Sequence, residues 1–164
     1  MSRIGVVLAD QFARTWAELR EAIELTPDDE WRNPDPCGHH YLTPVRQALH
    51  AVNAAHAYLH RSKEEAFGPE ALRRRRFPVD PEQSPVEQLP AKSELLAYLD
   101  DTARAVDDRL RQATDAELEA PSVFPWAGGT VCEQWVYMLR HNQHHYAVLN
   151  TMLRTRGLPT GQWK

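Results

Sequence analysis

The segment from Thr130 to Gly157 constrains the fold more than any other. Thr130 stands three residues before Glu133. That is the spacing of a capping box, in which each side chain satisfies the other residue's free backbone N–H. Gly157, with Pro159 beyond it, is a stop signal. Together they predict one helix running to Arg156, about 40 Å long at ~1.5 Å per residue. A helix of that length needs partners of comparable length to cover its apolar face.

The chain supplies three more helical patterns. Ile4, Leu8, Phe12, Leu19 and Ile23 mark a stripe at helical spacing over residues 3–25. Thr26-Pro27-Asp28-Asp29 then reads as a cap followed by a short turn, and residues 32–41 as loop. Thr43-Pro44 repeats the cap-plus-proline signal and opens a second helix predicted to reach about Ala66. Val45, Ala48, Leu49, Val52, Ala55 and Leu59 are its apolar or small positions. A proline-rich connection follows from Gly68 to Pro90 and carries Arg73-Arg74-Arg75-Arg76. A third long helix, about Ala91 to Ala113, has Leu95, Leu99, Val106 and Leu110 on one stripe. Thr114 to Glu117 reads as a further capped turn. No strand-like alternation competes with these patterns. Four long amphipathic helices with one long crossover between the second and third predict an all-α four-helix bundle.

Composition narrows the class. A chain of 164 residues is expected to form a single domain spanning 1–164. The net charge of −4 gives no reason to expect a nucleic-acid partner. No apolar run approaches the ~20 residues that span a bilayer, and residues 1–10 lack a signal-peptide layout. A cytoplasmic protein with Cys37 and Cys132 both reduced is the expectation.

Histidines carry the chemistry. His141 and His145 stand four apart in the fourth helix, and residues so spaced share one face. Met138, Val148 and Met152 lie on the same stripe, so both imidazoles should point inward, where unpaired polar groups are costly. His50, on the second helix, shares a broad face with Ala54 and Ala57, which leave room beside it. Asn53 lies about 60° to one side, within reach of a bound ligand. Three histidines with open coordination positions match the ligand count of a catalytic metal. The competing reading is a set of hydrogen-bonded core histidines, and spacing alone leaves both standing. Of the remaining histidines, His39, His40, His56 and His60 are expected at the surface or in loops, and His144 at the edge of the inward stripe. Cys132 lies about 13 Å along the helix axis from His141, too far to be a ligand, and reads as a packing residue. Trp126 and Trp135 are candidates for a pocket mouth or for packing.

Two stretches now carry a resemblance. Residues 49–59, Leu-His-Ala-Val-Asn-Ala-Ala-His-Ala-Tyr-Leu, and residues 141–150, His-Asn-Gln-His-His-Tyr-Ala-Val-Leu-Asn, resemble the second- and fourth-helix motifs of the DinB/YfiT-like superfamily. Leu153-Arg154, Gly157-Leu158-Pro159 and the loop with Phe124-Pro125-Trp126 and Gly128-Gly129 fit the same pattern. The resemblance implies a four-helix bundle with one divalent metal ion, zinc or nickel, on His50, His141 and His145. It also implies a homodimer. Some members resemble S-transferases that use low-molecular-weight thiols such as bacillithiol, mycothiol or glutathione, and others are related to a mycothiol-dependent isomerase. Here Ala55 replaces the acidic residue that often follows the second-helix histidine by five positions. Tyr146-Ala147-Val148 replaces the usual Arg-Gly-Gln.

The expected function is therefore metal-dependent work on a small-molecule substrate. A dipositive ion on neutral imidazoles lowers the pKa of bound water or deprotonates a thiol, which gives hydrolysis or S-transfer respectively. A non-catalytic metal-stabilised binding module is the other reading. Arg73, Arg74, Arg75 and Arg76 are either a solvated run or a clamp for an acidic thiol or substrate. Asn53, His144 and Trp126 complete the candidate substrate-side set.

Overall fold

The computed structural model describes residues 1–34 and 39–164, apart from the side chains of Leu72 and Arg74. Cys37 therefore lies outside the described residues. The helices are α1 (Arg3–Leu25), α2 (Pro44–Ala57), α3 (Lys63–Phe67), α4 (Pro69–Arg74), α5 (Lys92–Gln112), α6 (Asp115–Glu119) and α7 (Val131–Thr155), with a 3-10 turn at Val86–Gln88. No strand forms among the described residues. The four long helices make a bundle in which α1 and α2 each pack between α5 and α7. No described helix is long and apolar enough to cross a membrane.

The helix ends follow the sequence signals. The Ser2 hydroxyl accepts from the Ile4 and Gly5 N–H groups and starts α1. Thr130 and Glu133 form the reciprocal box that opens α7. At its far end Gly157 adopts φ +69°, and the Leu158 N–H reaches the Leu153 carbonyl. That is the left-handed closure for which glycine carries no Cβ penalty. Thr114 and Glu117 form a second box at α6.

Two predicted features are corrected. The second helix does not reach Ala66. It ends at Ala57, and the chain turns before α3 begins at Lys63. The Ser62 hydroxyl accepts the Glu65 N–H, while the Glu65 carboxylate accepts the Arg61 N–H. This local capping competes with continuation of α2. Ile4 does not face the core; it is exposed, and Gly5 is buried instead. A Cβ on Gly5 would stand 2.4 Å from the Leu110 carbonyl oxygen, so the α1–α5 approach requires glycine there.

The core runs the length of the bundle through Phe12, Leu19, Leu49, Leu99, Met138 and Leu149. Trp135 packs in it, edge-on to Phe12 at 5.8 Å between ring centres. The connection between α4 and α5 is tied to this core at three points. Buried Trp31 donates its Nε1–H to the Pro90 carbonyl. Arg32 donates to the carbonyls of Val86 and Leu89. Arg46, buried in α2, donates to the carbonyls of Pro81 and Ser84 at 2.7 and 2.9 Å. The crossover is thereby held beside α2, where its residues 78–82 line one cavity with His50.

Candidate metal centre

His50 comes from α2, and His141 and His145 from adjacent turns of α7. Packing of α2 on α7 brings the three rings together. Each offers one ring nitrogen, and the three nitrogens lie within 4.8 Å of one another. His50 Nε2 is 3.1 Å from His141 Nε2, which is 3.3 Å from His145 Nε2. Ligands held at ~2.0–2.1 Å from a tetrahedral ion stand about 3.3 Å apart, so the spacing fits one such ion.

The tautomer of His145 is fixed by Gln47. The Gln47 Nε2 donates to the Tyr41 carbonyl at 2.9 Å, which turns its Oε1 toward the histidine. His145 Nδ1 lies 2.8 Å from that oxygen and must donate to it. Its Nε2 is then a bare lone pair aimed at the other rings. Metal-binding histidines are oriented in this way by an acceptor behind the ring.

Burial keeps the rings neutral. It depresses the pKa of His50, a shift that nearby Glu82 and Asp80 partly oppose. Burial, and then the neighbouring His50, take His141 to about 4. Burial, and then His141 and His50, depress His145 further. The three Nε2 atoms face one another, and only His145 has its tautomer fixed by a partner behind the ring. A cation satisfies all three, and neutral imidazole is the form that ligates.

Of the three histidines, His50 also lines a cavity of about 500 Å³. It is lined by His50, Asn53 and Ala54 of α2, by Phe67 and Arg75, and by residues 78–82 of the crossover. Asn53 is 5% exposed, and neither its Oδ1 nor its Nδ2 has a partner. Tyr41 sets its ring edge against His50 at 6.0 Å, and burial pushes its hydroxyl up to about 12.

The other candidate residues separate. Of the four arginines, Arg75 lines the cavity. Arg73 pairs with Glu70, and Arg76 with Asp101. The Arg74 side chain lies outside the described residues. Trp126 does not line the cavity; it donates to the Tyr58 hydroxyl and stands behind Phe67, with ring centres 6.0 Å apart. His144 is exposed on the outer side of α7, edge-on to His145 at 5.1 Å. His39 and His40 are exposed, but His56 and His60 are half-buried, because the break after α2 folds α3 and α4 back over them. Cys132 is a half-buried free thiol. The sequence reading missed Gln47 and Arg46. Gln47 stands three residues before His50, on the same helix face, and that spacing was its signal.

Comparison with known proteins agrees with this geometry. No curated protein matches the chain. The family model described as DinB superfamily matches residues 11–149, a span that takes in α2, α7 and all three histidines. A helical bundle with a histidine triad between α2 and α7, matched over most of its length by that model, belongs to the DinB superfamily.

Proposed function

We propose that the protein is a metal-dependent enzyme that activates a small-molecule thiol for transfer to an electrophile, with zinc or nickel on His50, His141 and His145. The observation that carries the reading is the position of His50, which belongs both to the triad and to the wall of the 500 Å³ cavity. A divalent ion held by three neutral imidazoles supplies the acidity that keeps a thiol deprotonated near neutral pH.

The protein's own residues hold and orient. Gln47 fixes the His145 ring, and Arg46 holds the crossover wall. In this reading the nucleophile is the sulfur of the bound thiol. That sulfur forms a bond to an electrophilic carbon, the leaving group departs with the bonding pair, and the thiol proton passes to water.

The test is a panel of low-molecular-weight thiols with a chromogenic aryl halide, run on zinc- and nickel-loaded protein beside His141→Ala. A rate that needs both metal and thiol, and is lost in the variant, supports the proposal. Equal rates in both proteins contradict it. Ester hydrolysis without thiol would assign the centre to water activation instead.

A further inference from the structure

His56 and His60 lie at the break that ends α2, apart from the histidine triad. His56 is in the last turn of the helix, and His60 is in the turn between α2 and α3. Both are half-buried, with ring centres 5.5 Å apart and planes at 76°. His56 also packs on Tyr98 of α5, at 5.7 Å between ring centres. The two histidines line a second cavity of about 500 Å³ together with Glu64, Glu65, Glu70 and Arg75. Three carboxylates against one guanidinium leave that lining net negative.

Residues 56, 60 and 64 are spaced by four, yet they do not share one helix face. α2 stops at Ala57, and α3 begins at Lys63. The folding back of α3 and α4 brings the three side chains to one cavity. The carboxylates differ in availability. Glu65 accepts the Arg61 backbone N–H at 2.9 Å, and Glu70 accepts Arg73 at 2.7 Å. Glu64 is exposed and forms no ion pair among the described residues. Burial lowers the pKa of His56, and nearby His60 and Arg75 lower it further. His56 is therefore neutral near pH 7, the form that ligates a metal.

Two imidazoles and a carboxylate suit a borderline divalent ion. Imidazole favours zinc, nickel and copper, whereas magnesium and calcium favour oxygen alone. We propose that His56, His60 and Glu64 form a second metal site, for a divalent transition ion such as zinc, separate from the triad of His50, His141 and His145. Among the described residues the triad is the one group of three whose ligand atoms lie within 4.8 Å of one another. The second site therefore closes on its ion. The two histidines hold the first positions at the end of α2, and the exposed Glu64 side chain turns in to complete the set. The bound ion ties the last turn of α2 to the first turn of α3.

A difference between two proteins makes the test independent of whether the triad is filled. Wild type and His60→Gln are dialysed to equilibrium against a series of free zinc concentrations, and metal per chain is measured. Wild type takes up about one more zinc per chain than His60→Gln. Glu64→Gln, a change at an exposed position that leaves the fold intact, weakens that extra zinc roughly tenfold or more, because a charged ligand becomes a neutral one. Zinc also slows amide hydrogen exchange across residues 57–67 in wild type and not in His60→Gln. Equal zinc in wild type and His60→Gln overturns the proposal. An extra zinc whose affinity is unchanged in Glu64→Gln also overturns it, since that is adventitious binding to a bare histidine pair.

Discussion

His145 Nδ1 lies 2.8 Å from Gln47 Oε1, and this one contact decides which nitrogen the histidine presents to its neighbours. The Tyr41 carbonyl fixes the amide from the other side. A backbone group outside the triad therefore determines, through Gln47, how α7 offers its second ligand.

Gln47→Leu keeps the volume of the side chain and removes the acceptor. Losing an outer partner of a metal-bound histidine weakens metal binding by roughly 10–100-fold. Competition with a chromophoric chelator measures it. An unchanged affinity would show that His145 does not ligate through Nε2.

Arg46 anchors the wall of the cavity through the carbonyls of Pro81 and Ser84. Arg46→Met removes both bonds and costs about 1–3 kcal/mol. Amide hydrogen exchange across residues 78–84 should accelerate while α5 and the body of α7 stay protected. Uniform acceleration throughout would mean that Arg46 supports the bundle as a whole.

Glu133 gives a pH signature. Its carboxylate accepts the backbone N–H groups of Thr130 and Gly129, which hold its pKa below the ordinary 4.5. The folded state thus favours the ionised form. The associated stability is complete above the unfolded value and is lost as pH falls through the lowered one. Glu133→Gln should unfold at lower denaturant than wild type at pH 7, with the gap closing as pH falls from the ordinary 4.5 through the lowered value. A gap that is constant with pH would mean that the charge contributes nothing to the cap.

The long helices were legible because their ends are chemically explicit: the Thr130–Glu133 box, Thr43-Pro44 and Gly157. The histidine pair was legible because a spacing of four on one helix fixes a shared face. The end of α2 was misread because residues 58–67 contain neither glycine nor proline. The signal lay in Ser62 and Glu65, spaced as a cap inside a helix-prone run. The arginine run could not be resolved from sequence. Arg73 pairs with Glu70 one turn back in α4, but Arg75 at the cavity and Arg76 on Asp101 of α5 depend on tertiary placement. The empty hydrogen-bonding capacity of Asn53 is also a tertiary fact, since it depends on what the neighbouring elements fail to offer.

The most direct test of a metal centre on α2 and α7 is elemental analysis of freshly purified protein, wild type beside His145→Ala. About one zinc or nickel per chain in the wild type, lost in the variant, is the predicted result. No metal in the wild type after reconstitution, or equal metal in both proteins, would contradict the assignment of His50, His141 and His145 as ligands.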